Sequence, residues 1–202
     1  MHPTSHSNSQ DLQNYKPTSG LNYNYVRQQI GSKKILYNIY EIGGGIVNVN
    51  LIKSIINEKN LLNTVFIICL DFSKQARILL SLKTYLASIK KIISEISNDN
   101  NDLLADISEA KKTRYNNENQ NDLKRINIFQ AEIVVVGTKY DILEKADMEK
   151  LKWVCRCLRF FTHINGLSLV YVKPPFNDAD QKQIKQVFLH LTLLKYLTYL
   201  VC

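Results

Sequence analysis

No string of the form G-x-x-x-x-G-K-[ST] occurs in the 202 residues, so the loop that cradles nucleotide phosphates is absent. The nearest string, Gly31-Ser32-Lys33-Lys34, falls between two strand-like runs. No helix N-terminus follows it to aim amides at a phosphate. Cysteine is sparse, and Cys69, Cys155, Cys157 and Cys202 show no paired metal spacing. They read as free thiols of a reducing compartment, and no metal site is expected. No apolar run follows the start, so no signal peptide is expected. The most apolar segment, residues 187–201, carries His190 and Lys195 and is too short and too polar to insert across a bilayer. Internal repeats, a catalytic triad, paired carboxylates in an apolar setting and an aromatic–basic nucleic-acid motif are also lacking. The reading is therefore a chain with no catalytic residues, no nucleic-acid partner and no membrane insertion.

What is present is ordinary globular content. Hydrophobic residues make up 45% of the chain, and 202 residues are within the range of one large domain. The 26 basic and 18 acidic residues leave a net charge of +8. That balance suits an acidic protein partner, a membrane surface or a nucleic acid and does not choose among them.

Residues 1–20 are polar, with almost no apolar content, and read as a disordered lead-in. Residues 21–27 alternate, and residues 35–40 form a second strand-like run, so the two predict an antiparallel hairpin. The glycine turn EIGGG (41–45) precedes a short helix over 46–56. TVFIICLD (64–71) is apolar throughout and predicts a strand buried on both faces. Ile78, Leu82, Tyr85, Ile89, Ile92 and Ile96 then share one helical face. Residues 97–128 are rich in Asn, Asp, Glu and Lys and read as a mobile, partly helical insertion. AEIVVVG (131–137) is a second buried strand, and a helix follows over 147–163 with Leu151, Val154, Leu158 and Phe161 inward. LSLVYV (167–172) is the last strand, and Asp178 opens a final helix. This α/β alternation predicts a mostly parallel sheet with helices on both faces. It is the order of a Ras-like domain from its second strand onward. The expected domain, 21–202, therefore lacks the first strand and leaves a gap between residues 35–40 and 64–71.

The stretch VVVGTKYD (134–141) ends its strand as guanine-reading loops do. In such a loop the Asp141 carboxylate would accept two N–H groups of the base. Lys139 would lie along the ring, and Thr138 would tie neighbouring loops together. Asp141-x-x-Glu144 is equally a helix capping box. Glu41-x-x-Gly44 stands where a GTPase has Asp-x-x-Gly, whose acid reaches Mg²⁺ through water and whose glycine meets the γ-phosphate. Lys173 follows the last strand, where a third loop touches guanine. Lys152, Arg156, Arg159 and His163 line one side of the helix over 147–163, opposite its apolar side.

Five strings carry a resemblance: PTSGLNYNYVR (17–27), IYEIGGG (39–45), CLDFSK (69–74), VVVGTKYDIL (134–143) and CRCLRFFTHINGLSLVYV (155–172). In order and spacing they resemble the light intermediate chains of cytoplasmic dynein, most closely those of the ciliary motor dynein 2. The resemblance implies a Ras-like domain that is not primarily a switch enzyme. It implies binding to the tail of the dynein 2 heavy chain beside the other dynein 2 subunits, in support of retrograde intraflagellar transport and cilium assembly. It places such a microtubule-motor subunit in the cytoplasm, the cytoskeleton and the cilium, at axoneme and basal body. Thr18, Glu41, Gly44, Thr138, Lys139, Asp141 and Lys173 become vestigial nucleotide positions, with no cofactor expected and neither GTP nor GDP held firmly. Lys152, Arg156 and Arg159 become candidate partner contacts. The rival reading is a small Ras-like GTPase with an incomplete N-terminus. Against hydrolysis, Gly45 and Ile46 follow Gly44, where a GTPase often carries the glutamine that positions water.

Overall fold

The structure, a computed structural model, describes residues 16–30, 32–97, 126–145, 147–172 and 198–201, together with residues 105, 108, 109 and 112. The alternating runs form a hairpin of β1 (Leu21–Ile30) and β2 (Lys33–Ile42). Its register runs unbroken from Leu21↔Ile42 to Ile30↔Lys33. The glycine turn leads into a 3-10 helix, Gly45–Ser54, and then a single turn, α1 (Glu58–Leu61). Asn57 and Asn60 cap that turn reciprocally, each side chain accepting the other's backbone N–H. β3 (Thr64–Asp71) is the apolar run, and a second 3-10 helix, Phe72–Arg77, continues directly into α2 (Ile78–Ile96). β4 (Glu132–Thr138), α3 (Tyr140–Glu144), α4 (Met148–Ile164) and β5 (Ser168–Tyr171) follow. The last described element is β6 (Thr198–Val201).

The six strands lie in the order β1-β2-β6-β3-β4-β5. β1 and β2 are antiparallel, and every other neighbouring pair is parallel. This mixed α/β sheet has the Ras-like arrangement expected from the sequence, with one correction at its centre. The expected gap is occupied. β6 enters it, Thr198 aligning with Asn38 on one side and with Thr64 on the other. The final helix expected from Asp178 is therefore corrected over Thr198–Val201, while residues 178–197 lie outside the described residues. The reason is the accounting of backbone bonds. β3 is buried along almost its whole length, and an open ladder edge there would leave several buried N–H and C=O groups without partners. Thr-Tyr-Leu-Val consists of good strand formers, and tertiary pairing overrides the helical reading.

Strand alternation divides the core in two. Phe66, Ile68 and Leu70 of β3, with Ile133 and Val135 of β4, meet Ile78, Leu82, Leu86, Ile89, Ile92 and Ile93 of α2 and Leu151, Cys155 and Leu158 of α4. Val65, Ile67 and Val134 turn to the opposite face with Tyr37, Val170 and Val172. These six are buried as well, and the described long helices pack on the first face. The expected inward face of α2 matches, with Tyr85 and Ile96 half-buried at its margin. On α4 the stripe is rotated. Cys155 and Thr162 are inside, and Val154 and Phe161 are half-buried. The Thr162 hydroxyl is satisfied by donating to the Leu158 carbonyl at 2.8 Å.

The insertion expected over 97–128 lies mostly outside the described residues, and Asn127 donates its N–H to the Ile164 carbonyl at 2.7 Å. The lead-in lies outside them as far as residue 15. Its last residues are not loose. Gly43 N–H donates to the Gly20 carbonyl at 2.8 Å, and Asn48 Nδ2 donates to the Ser19 carbonyl at 3.1 Å.

Deleting residues 198–202 opens ladders on β2 and β3 together. Each buried group left unpaired costs about 1–3 kcal/mol, so several of them rival a whole domain stability of about 5–15 kcal/mol. The truncated chain should unfold over a broad temperature range and bind a hydrophobic dye, whereas the intact chain melts cooperatively without dye. Thermal melts with and without dye check this.

Candidate functional site

The parallel ladders bring the carboxyl ends of β2, β3, β4 and β5 to one edge of the sheet, where open α/β sheets place their ligands. The first feature there is the glycine turn. Gly44 and Gly45 hold φ of 81° and 65°, the left-handed region that only glycine enters at little cost. A Cβ on Gly43 would fall 1.6 Å from the Thr18 carbonyl oxygen. Asn48 locks the turn, its Nδ2 donating to the Gly43 carbonyl at 2.8 Å. All three glycines are thus explained by backbone geometry, and Thr18 is part of the same packing. Glu41, in the last rows of β2, aligns with Val201 of β6 and lies near Cys69. Burial first, and the Glu41 charge second, push the Cys69 thiol up to about 11.

The second feature is the loop after β4. Gly137 is bare because Phe72 occupies the space where its Cβ would be; the ring Cζ would lie 2.3 Å away. Phe72, Tyr140 and Tyr171 form a cluster of tilted and edge-on rings with centroids 5.2–6.4 Å apart. Thr138 ties the loops together as expected, its Oγ1 donating to the Leu70 carbonyl at 3.1 Å. Lys139 adopts φ 57° and caps α3, so the capping box expected at Asp141 is corrected. The helix starts at Tyr140, and Asp141 is inside it. Asp141 Oδ1 is buried without a hydrogen-bond partner.

Lys139 does not lie free for a ring. Its Nζ pairs with Asp71 Oδ2 at 2.8 Å. Asp71 Oδ1 in turn accepts the Ser73 N–H at 2.9 Å and its hydroxyl at 2.6 Å. Partial desolvation pushes the Asp71 carboxyl up, but the Lys139 and Ser73 hydrogen bonds together outweigh it and hold it at about 2. Beside this pair is a cavity of about 260 Å³ lined by Cys69, Asp71, Lys74, Arg77, Ser81 and Tyr85.

Thr18, Glu41 and Gly44 therefore gather at one part of this edge, and Thr138, Lys139 and Asp141 at another. Lys173 lies outside the described residues. Asp71, Lys74 and Arg77 stand beside the second group without having been singled out from sequence. The signal was Asp71-x-Ser73 directly after a buried strand, a local turn that fixes the carboxylate. Lys152, Arg156, Arg159 and His163 are exposed along α4, and Arg159 comes close to Tyr140 and Tyr171 of the aromatic cluster. Among the described residues no group of three or more His, Cys, Asp or Glu could hold a metal ion, and no helix is long and apolar enough to cross a membrane.

No family model matches the chain. Human cytoplasmic dynein 2 light intermediate chain 1 is 30% identical over 164 residues, covering 77% of this chain and 46% of that one. The bovine protein matches equally, and the zebrafish protein is 28% identical over 163 residues, covering 77% of this chain and 44% of that one. Its homologues are the light intermediate chains of dynein 2. The chain spans about half the length of these relatives. Among solved structures, the crystal structure of the dynein light intermediate chain's conserved domain superposes with a TM-score of 0.63 at 17% identity, over 88% of this chain and 65% of that chain. That likeness carries the fold.

The Asp71 carboxyl ionises at about 2 in the folded chain against 3.8 ordinarily. A depressed carboxylate stabilises the fold fully above its ordinary value and loses that contribution as pH falls through the folded value. Asp71→Asn should therefore be less stable than the native chain at neutral pH. The difference should narrow as pH drops from about 3.8 to about 2. Thermal midpoints across acid pH check this.

Proposed function

We propose that the chain is a non-catalytic light intermediate chain subunit of the cytoplasmic dynein 2 motor. It binds the tail of the heavy chain and supports retrograde intraflagellar transport and cilium assembly, in the cytoplasm, on the cytoskeleton and in the cilium. The observation that carries the reading is 30% identity with a dynein 2 light intermediate chain over 77% of the chain, on a Ras-like sheet. It is supported by what surrounds the base-reading loop. Lys139 is engaged by Asp71, and neither Gly45 nor Ile46 can position a water. On this reading GTP and GDP bind weakly and GTP is not hydrolysed.

The docking surface on this reading is the outer side of α4. Lys152, Arg156, Arg159 and His163 form a basic rail there, and beside it Trp153 and Phe160 are 67% and 68% exposed. Exposed Trp and Arg are the residue types that dominate binding energy at protein interfaces. A basic rail steers and orients an acidic partner.

Affinity purification of the tagged chain from ciliated cells, with mass spectrometry of the eluate, should recover the dynein 2 heavy chain. Changing Lys152, Arg156 and Arg159 together to Glu should cut that recovery about tenfold or more while leaving the melting transition in place. Absence of the heavy chain from the native eluate overturns the reading.

Labelled nucleotide provides the second check. Titration should show no micromolar GTP binding, because most nucleotide affinity comes from phosphate contacts. Tight binding with turnover, both lost in Asp141→Ala, would establish the GTPase reading instead.

A further inference from the structure

The outer edge of β1 is the most exposed apolar feature of the sheet. Among the described residues twelve large hydrophobics are exposed, and five of them (Leu21, Tyr23, Tyr25, Val26 and Leu36) belong to the β1–β2 hairpin. The exposure lies on both faces of β1: Tyr23 and Tyr25 are 49% and 54% exposed on one, and Val26 is 50% exposed on the other. Among the described residues no strand pairs with β1 on the side away from β2. Edge strands of stable monomers are blunted by lysine, proline, bulges or shortness. β1 is ten residues long, contains no Lys or Pro, and pairs with β2 without a bulge.

We propose that β1 is a self-association surface, taking β1 of a second copy of this chain in antiparallel pairing to join two sheets into one. The occupant follows from the pattern of the strand. A two-fold axis through Tyr25 keeps the two faces in phase. Tyr25 then opposes the partner's Tyr25, and Tyr23 opposes the partner's Arg27. Directly opposed aromatic side chains stabilise a sheet. Arg27 already lies over the Tyr25 ring of its own chain, 5.2 Å from the centroid. Tyr23 is turned toward β2, its hydroxyl donating to Asn38 Oδ1 at 2.9 Å and its ring 5.0 Å from that of Tyr40, so Tyr25 is the aromatic left to the outer edge.

Charge also fits a second copy. Arg27 is the only Lys, Arg, Asp or Glu in the strand, and in this register the two Arg27 side chains are four rows, about 14 Å, apart. That exceeds the screening length of about 8 Å at physiological salt. An acidic partner would have a single cation to meet. The interface is one ladder wide, so the dimer is weak and concentration-dependent. The protomers, each carrying +8, repel at long range, so added salt strengthens the association, opposite to the salt dependence of an acidic partner docking on a basic surface.

Sedimentation of the 202-residue chain over a range of protein and salt concentrations tests this. The expected result is a monomer–dimer equilibrium that shifts toward dimer as salt rises. Tyr25→Lys places like charges directly opposite each other and should weaken the dimer about tenfold, as should Tyr25→Glu. An equimolar mixture of the two variants should restore a mixed dimer. Circular dichroism should show both variants folded, because Tyr25 is exposed. If Tyr25→Lys disturbs the fold, Tyr25→Thr, which removes the ring and keeps a strand former, should show the same direction of loss. A chain that stays monomeric at its highest soluble concentration overturns the proposal, as does a dimer indifferent to Tyr25 or a mixture that does not reassociate.

Discussion

A strand buried on both faces cannot leave a ladder edge open, and β3 is such a strand. Its partners on either side, β4 and β6, set the rest of the sheet. β6 is parallel to both β2 and β3, so it orients the β1–β2 hairpin and brings the glycine turn to the same edge as the loop after β4. The described part of β6 pairs with Thr64–Ile67 of β3, and the cavity at Cys69, Leu70 and Asp71 lies further along the same strand.

Much of this was legible in the sequence because burial leaves a pattern. TVFIICLD and AEIVVVG are apolar without alternation, as strands covered on two faces must be. The spacing of Ile78, Leu82, Ile89 and Ile92 places them on one side of α2. β6 was not legible. The four residues Thr198–Val201 have no helical or strand periodicity of their own, and they follow an apolar run that reads as helix. Only the unpaired edges of β2 and β3, far away in sequence, make them a strand. The α4 face was legible to within a rotation: Cys155 and Thr162 pass for polar positions until the Leu158 carbonyl is seen to accept the Thr162 hydroxyl.

At the candidate site, residue types were legible and their bonds were not. Thr138 does what a short polar residue there should do, joining β4 to the end of β3. Lys139, which a base-reading loop would lay along the ring, pairs with Asp71, which ends the neighbouring strand in a turn fixed by Ser73. Gly137 is required by the Phe72 ring, and the glycine turn by left-handed backbone and the Thr18 carbonyl. A string that matches a nucleotide loop thus has a sufficient mechanical reason at most of its positions. Asp141 is the exception: its buried Oδ1 has no partner among the described residues and contributes nothing evident to the fold.

The exposed aromatic surfaces lie at opposite ends of the sheet. β1 is at one edge, with four strands between it and β5 in the order β1-β2-β6-β3-β4-β5. α4 packs against β5 at the other, with Trp153 and Phe160 turned outward. A partner on α4 therefore leaves the β1 edge uncovered, and pairing at β1 leaves the basic rail uncovered. The two surfaces also respond oppositely to ionic strength. Screening weakens attraction between the rail and an acidic partner, and it relieves repulsion between two basic protomers.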